Sequence, residues 1–313
     1  MAQTAATQLS GFSGFLTPDI AAPIFEKAMR LSVVQTLARR IPMGIAGVSV
    51  PVITAKPTAS WVNEAGQKPA SEGSLALKTM QPKKIAVLTA VSAEVLRANP
   101  GGYVDMFRDA VGEAIAIAFD QAAFHGTSTP FDAFLDQTPK AVELGANAAA
   151  AGGVWGDLNT ALDLLVTDGK ELSGFAFDNV MEPNLNGSLD TTGRPLFVDT
   201  PIGSDTANPA SPASAAQQVR VGRVMGRQSA MAKGVATTNL TTVVGYAGDW
   251  SQIVYGQIGG ISFDVTTQAS MTINGTLTSL WENNLVGVRA ETEYGLLIND
   301  TAAFVRIMNS TGS

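Results

Sequence analysis

The chain has 313 residues and a mass of 32.4 kDa, which suits one large domain or two intertwined ones. Apolar residues make up 45% of the chain and charged residues only 15%, which excludes a disordered chain and a charged coiled coil. The net charge of −7 argues against a protein that grips nucleic acid phosphates. The absence of cysteine excludes disulfides and thiol catalysis, and a single histidine argues against a Ser-His-Asp triad.

The N-terminal region is small and polar over residues 1–16, which predicts a flexible arm. Thr17, Pro18 and Asp19 form a helix-start signal, and the apolar pattern after them predicts a short helix that continues as far as Ile41. The N-terminus has neither the positive charge nor the continuous apolar core of a signal peptide. The longest apolar stretch, around residues 110–124, is broken by Glu113 and Asp120 and is too short and too polar to span a bilayer. We therefore expect no membrane partner.

An extended hairpin is predicted for residues 47–92. Val48, Val50 and Val52 alternate with smaller residues, and alternation returns between Ile85 and Val91. A polar segment over residues 63–73 would form the tip. Because an isolated two-stranded ribbon is marginal in water, we expect this hairpin to lie on a neighbouring subunit.

The strongest helix signal begins at Tyr103 and ends near Gly126, where apolar residues keep a spacing of three and four. About 23 residues at 1.5 Å each predict a rod of about 34 Å. Ile115 lies on the predicted apolar stripe, whereas Asp120 lies off it.

The remainder of the chain predicts further helices and strands. A second helix is expected over residues 155–167, a strand over 174–178, a short helix near Pro183 and a surface loop over 199–212. Strand-like runs follow at residues 242–246, 253–255, 261–265, 285–290 and 304–308. The predicted class is α+β, with C-terminal strands that return to the long helix.

No motif for phosphate binding, metal binding or catalysis is found. Asp157 and Asp168 are spaced along the second helix as a solvated face would be. His125 is interpreted as a favourable charge at a helix C-terminus, because no acid or base partner is in view. The tightest basic cluster is interpreted as a solubilising surface and consists of Arg220, Arg223 and Arg227. We expect no enzyme activity, cofactor or metal.

The order of these elements resembles the major capsid proteins of tailed bacteriophages with the Hong Kong 97-type fold. Residues 49–52, 61–69 and 82–87 resemble the extended loop of that family, and residues 104–126 resemble its spine helix. Residues 192–197 resemble a turn of its axial domain. Residues 284–291 and 301–305 resemble its C-terminal peripheral-domain strands.

This resemblance implies a shell subunit that forms pentamers and hexamers and closes into an icosahedron around double-stranded DNA. It divides the chain into an N-terminal arm with a short helix (1–46), an extended loop (47–92), a peripheral domain (93–140 and 270–313) and an axial domain (141–269). The implied location is the virion, after assembly in the bacterial cytoplasm. The implied partners are copies of the chain, a portal, a decoration protein and DNA held non-specifically. Because about sixteen residues precede the match, we also expect a separate scaffolding protein.

Two other interpretations stay open at this point. An encapsulin-like cellular nanocompartment has the same fold and encloses a protein cargo, so only the contents distinguish it from a viral shell. A monomeric α+β enzyme is the third interpretation, and the lack of site residues disfavours it.

The same resemblance implies a chemical crosslink. Some members join subunits by an isopeptide bond between a lysine on the extended loop and an asparagine of a neighbour, assisted by a glutamate. Lys68, Asn284 and Glu291 stand at the matching positions. The alternative is a solvated loop lysine, an asparagine in a turn and a glutamate in an ordinary ion pair.

Overall fold

The computed structural model of the chain describes residues 32–64, 66–98, 103–147, 152–187, 197–199, 219–236 and 243–309. The predicted arm and the start of the first predicted helix lie outside these ranges, as does most of the predicted 199–212 loop. The described helices are α1 (Val33–Leu37), α2 (Ala93–Ala98), α3 (Tyr103–Phe124), α4 (Val154–Thr167) and α5 (Glu182–Gly187). No helix within these ranges combines the length and apolar character that a bilayer crossing requires.

The strands account for most of the regular structure. In chain order they are β1 (Arg39–Pro42), β2 (Val48–Ala55), β3 (Ser74–Met80), β4 (Lys83–Ser92), β5 (Ala141–Glu143), β6 (Gly174–Phe177), β7 (Phe197–Asp199), β8 (Arg220–Val224), β9 (Arg227–Met231), β10 (Val243–Gly248), β11 (Ile253–Thr266), β12 (Ser270–Ile273), β13 (Thr276–Ser279), β14 (Leu285–Ile298) and β15 (Phe304–Met308).

A seven-stranded mixed sheet has the order β5-β15-β10-β6-β9-β8-β7. Because side chains alternate along a strand, its two faces enter two different cores. Phe175 and Phe177 pack with α4 on one face, while Ala176 and Tyr246 pack with α3 on the other. The sheet is therefore covered by a helix on each side.

A four-stranded sheet has the order β1-β11-β14-β4 and packs on α3. Phe119 of α3 meets Tyr294 of β14 with ring centroids 4.7 Å apart. The predicted long helix is thus confirmed, and it lies between the two sheets. The burial of Ile115 is also confirmed. The prediction for Asp120 was wrong, because this side chain is buried with the apolar residues of the helix.

The predicted pairing of the strands within the hairpin was wrong. β2 pairs with β3, and β4 pairs with β14 in the four-stranded sheet. Pro82 separates β3 from β4 and offers no backbone N–H for a continuous ladder. Ile85 and Val87 of β4 pack against the core that contains α3, which accounts for the alternation seen in the sequence.

Several other elements differ from the sequence prediction, including β14, which runs to Ile298 and not only to residue 290. The first helix ends at Leu37, and Ile41 belongs to β1, which runs parallel to β11. The two predicted strands at 253–255 and 261–265 form one strand, β11, with a register shift against β14 after Ile258. The hairpins β8–β9 and β12–β13 were not predicted.

The predicted domain division stays a prediction, and the hydrogen bonding crosses it at two strands. β15 lies in the range assigned to the peripheral domain but pairs within the seven-stranded sheet. β11 lies in the range assigned to the axial domain but pairs within the four-stranded sheet.

Candidate subunit-contact surface

The β2–β3 ribbon presents an uncovered apolar face. Within the described part of the chain it is a two-stranded sheet without a third strand. Directly paired residues of antiparallel strands share a face, and Ile53 pairs with Leu75 while Pro51 pairs with Leu77. Ile53, Leu75 and Leu77 are 60%, 72% and 73% exposed. This outward face is therefore apolar and open to solvent.

The opposite face of the ribbon is directed towards the rest of the chain, which we call the body and which contains the two larger sheets and their helices. Val50 and Val52 are half-buried, as are their partners Lys78 and Ala76. The ammonium group of Lys78 donates a hydrogen bond of 2.7 Å to the carbonyl oxygen of Asn299. Only the inward face is thus covered within one chain.

The distal loop of the ribbon carries the first predicted crosslink residue. Every described side chain from Lys56 to Gly73 is exposed, including Lys68 and Trp61. Lys68 is consequently free to reach a neighbouring molecule, and burial against the same chain does not hinder it.

The second predicted residue, Asn284, sits in the turn before β14 with a φ of 51°. Its Nδ2 group donates to Glu94, and its carbonyl oxygen accepts from the backbone N–H of Ala93 over 3.0 Å. Ser92 Oγ donates to the other oxygen of Glu94 over 2.8 Å, and chiefly this bond lowers the pKa of Glu94. Asn284 is thereby tied to the start of α2.

Glu94 was not predicted from the sequence as a partner of Asn284. The signal was present, because Ser92 followed by an acidic residue in the first turn is a typical helix start. Its contact with Asn284 spans 190 residues of sequence and has no local signature.

The third predicted residue, Glu291, belongs to a ladder of ion pairs across the four-stranded sheet. Its carboxylate lies 3.5 Å from Lys84 Nζ and 3.4 Å from Arg289 Nε. Arg289 also contacts Asp264 over 2.7 Å. The cations of this ladder are about half exposed, so each pair contributes little to stability.

The structure does not bring Asn284 and Glu291 together. They stand seven positions apart along the extended chain of β14, which corresponds to about 23 Å at 3.3 Å per residue. A reaction that uses both groups therefore needs them from different copies of the chain.

His125 has partners that the sequence did not reveal. Its Nδ1 lies 2.9 Å from Asp136 Oδ2, and its Nε2 lies 2.8 Å from the carbonyl oxygen of Val235. Tyr246 donates to Asp136 Oδ1 over 2.8 Å. Burial, and then the nearby Asp136, raise the pKa of Tyr246 well above its ordinary value. The His125 side chain is only 5% exposed, so this network joins α3 to β10 and is closed to a substrate.

Two expectations about charged residues also change. Asp157 is fully buried rather than solvated, and it accepts from the backbone N–H groups of Gly145 and Asn147 over 2.7 and 3.0 Å. Arg220 pairs with Glu182, and Arg227 donates to the carbonyl oxygen of Leu172.

Among the described residues, no cluster of three acidic or histidine side chains is placed to hold a metal ion.

Similarity to known proteins extends over nearly the whole length of the chain. The model of the phage capsid family matches residues 13–308. A probable major capsid protein of Mycobacterium phage L5 is 41% identical over 98% of this chain and 93% of the relative. Its counterpart in Mycobacterium phage D29 is 40% identical over 98% of this chain and 94% of the relative. A solved structure from Gordonia phage Cozz superposes with a TM-score of 0.70 at 23% identity, covering 97% of this chain and 94% of that one.

Proposed function

The chain belongs to the phage capsid family, and from this membership we infer that it is a major capsid protein whose copies assemble into a bacteriophage shell. The predicted α+β class and the Hong Kong 97-type fold are confirmed by the solved structures from tailed phages on which the chain superposes. The matched family and both named relatives are viral, which favours a viral shell over a nanocompartment.

We propose that the shell is an icosahedron of pentamers and hexamers that encloses double-stranded DNA. It assembles in the bacterial cytoplasm with a separate scaffolding protein, a portal and a decoration protein. The net charge of −7 supports a wall that DNA contacts non-specifically, since strong phosphate contacts require basic side chains. The subunit acts structurally and has no enzyme activity beyond the crosslink considered below.

The exposed apolar face of the β2–β3 ribbon is the observation that best supports self-assembly. Pro51, Ile53, Leu75 and Leu77 form an exposed apolar face on a ribbon that two strands alone do not stabilise. Burial of one leucine side chain contributes roughly 2 kcal/mol. A second copy of the chain that covers this face supplies the missing packing.

A variant of the ribbon face tests this proposal. Replacing Ile53, Leu75 and Leu77 by serine removes the apolar contact, and we expect unassembled subunits with an unchanged melting temperature. Ser49→Ala with Thr79→Ala is the matched control, because both residues lie on the same exposed face. Size-exclusion chromatography with light scattering and electron microscopy measure the products. Normal shells from the triple serine variant would overturn the role of the ribbon.

We propose a division of labour along the chain that keeps the predicted boundaries except at two strands, because β11 pairs within the four-stranded sheet and β15 pairs within the seven-stranded sheet. Residues 1–46 form the arm and short helix, and residues 47–92 form the extended loop. Residues 93–140 and 270–313 form the peripheral domain around the spine helix, and residues 141–269 form the axial domain. The extended ribbon at residues 48–80 supports the assignment of the loop.

A crosslink between copies is the chemical part of this proposal. The Lys68 amine of one copy attacks Cγ of Asn284 in another, an amide bond forms, and the side-chain nitrogen leaves as ammonia. Glu291 of a further copy accepts the proton that the amine releases and passes it to the departing nitrogen, which is how ammonia forms. The exposure of Lys68 supports this step, which also requires Asn284 to give up its bond to Glu94.

A further inference from the structure

Two glycines in the four-stranded sheet form a notch. Gly256 of β11 and Gly295 of β14 are directly paired across the strands. A Cβ on Gly256 would lie 2.9 Å from Met43 Cβ and 2.9 Å from Met80 Cε. A Cβ on Gly295 would lie 2.7 Å from Met43 Sδ and 2.8 Å from Met80 Cγ. The space that two side chains would occupy is therefore filled by two methionines.

These methionines stand at the two ends of the ribbon. Met43 follows β1 and precedes the turn into β2, while Met80 is the last residue of β3. Both side chains are buried, although the ribbon beyond them is largely exposed. Both ends of the ribbon thus contribute to one packed contact with the body.

The turn at the ribbon base is held close to the same point. Gly47 has a φ of +82°, and a Cβ there would lie 2.5 Å from the carbonyl oxygen of Met80. Gly44 closes the turn by accepting a 2.9 Å hydrogen bond from Gly47. The two ends of the ribbon are consequently fixed against each other as well as against the sheet.

Paired glycines are an unfavourable choice for the interior of a sheet. Glycine weakens a strand because it loses more backbone entropy on folding and offers no side chain to pack. Close approach of another group accounts for glycine at such positions, and here that group is the pair of thioether side chains.

We propose that the Gly256–Gly295 notch, filled by Met43 and Met80, sets the direction in which the ribbon leaves the body. This inference rests on the proposed function, because the direction of the ribbon decides which part of the next copy it meets. Lys78 adds a second tie further out, through its bond to Asn299. Two anchor points along the ribbon define a direction, whereas one alone leaves it free to swing.

The test measures ribbon direction in unassembled subunits. The chain has no cysteine, so Ser71→Cys on the ribbon loop and Thr167→Cys on α4 accept two spin labels at exposed sites. Gly295→Ala in this background fills the notch, and we expect the distance between the labels to shift by several ångströms. Gly44→Ala is the control at the same root, because its Cβ would meet no described atom within 4 Å and its φ is not left-handed.

A second variant empties the notch instead of filling it. Met43→Ala removes one of the two side chains, and we expect a broader distance distribution than in the parent. If circular dichroism shows that Gly295→Ala does not fold, the Met43→Ala variant alone tests the proposal. A distance distribution of Met43→Ala that is as narrow as that of the parent then overturns it. A folded Gly295→Ala variant with the distance of the control also overturns it. Shell formation by the labelled parent is scored separately by electron microscopy, so failure of the proposed function is distinguished from failure of the notch.

Discussion

The backbone N–H of Val33 donates a hydrogen bond of 2.8 Å to Oδ2 of Asp120, which lies 87 residues further along the chain. Ser32 Oγ and the N–H of Val34 donate to the other carboxyl oxygen. Asp120 thus satisfies the first N–H groups of α1 and fixes this helix on α3. Burial is the main cause that raises its pKa to about 7, against the lowering effect of these hydrogen bonds.

This carboxyl group makes stability depend on pH. In the folded chain Asp120 stays protonated up to about pH 7, whereas in the unfolded chain it ionises near 3.8. The folded state therefore binds more protons between these values, and the free energy of unfolding falls as pH rises from about 4 to about 7. A difference of about three pKa units corresponds to roughly 4 kcal/mol. Urea unfolding of unassembled subunits at a series of pH values measures this fall.

Asp120→Asn is the control for that titration, since its side chain is neutral throughout. We expect the difference in stability between parent and variant to change with pH only inside the window from about 4 to 7. Glu94 and Asp168 have pKa values below the ordinary range, so their contribution is lost at still lower pH. Curves that run parallel across the window would contradict the assignment to Asp120.

Ile115 and Ala118 give a matched pair on α3. Ile115 is 1% exposed, whereas Ala118 on the same helix is exposed. Ile115→Asp places an unpaired carboxyl in the core and is expected to cost several kcal/mol, which gives insoluble or unassembled protein. Ala118→Asp is expected to change the free energy of unfolding of the subunit by less than about 0.5 kcal/mol. A soluble Ile115→Asp variant with the melting temperature of the parent would refute this packing.

The hydroxyl group of Tyr246 is expected to stabilise the fold by about 1–2 kcal/mol. Tyr246→Phe keeps the ring stacked on Phe124 at 5.0 Å but removes the donor to Asp136. Tyr255→Phe is the comparison, because its hydroxyl makes only a 3.3 Å bond to the carbonyl oxygen of Gln35. Denaturant unfolding of both variants measures the difference, and equal losses would show that the buried network has no special weight.

The proposed crosslink predicts a ladder of bands when mature particles are run on a denaturing gel. Lys68→Arg should abolish the ladder, because a guanidinium group stays protonated and is a poor nucleophile. Lys56→Arg is the control, since Lys56 is also exposed on the ribbon loop and is not the predicted nucleophile. A single band near 32 kDa from the parent would show that these subunits are not joined covalently.

Local patterns predicted local structure well. The three-and-four spacing predicted α3, and a run of strand-forming residues predicted β15 at its observed bounds. These signals need only neighbours in sequence, because helix and strand periodicities are set by the backbone.

Long-range pairing left no comparable signal. β4 pairs with β14, about two hundred residues later, and alternation in β4 alone does not identify which strand lies beside it. Asp120 was misplaced for a similar reason, since the donors that make its burial acceptable come from Ser32 to Val34.

In the candidate site, too, local features were predictable from the sequence and long-range contacts were not. Exposure of Lys68 on a polar loop was readable from composition, but the contact of Asn284 with Glu94 was not. The glycine notch was equally hidden, because a glycine in a strand gives no indication of which side chain approaches it.

The two ends of the ribbon enter opposite edges of one sheet. The chain leaves β1 at Pro42 and returns into β4 at Lys83, while β11 and β14 lie between these outer strands. A neighbour that pulls on the ribbon therefore loads both edges at once, and it cannot peel one strand away while the other stays at rest. The force is then distributed over the hydrogen bonds between all four strands of the sheet, so the ribbon is mechanically coupled to the whole sheet and not to one strand.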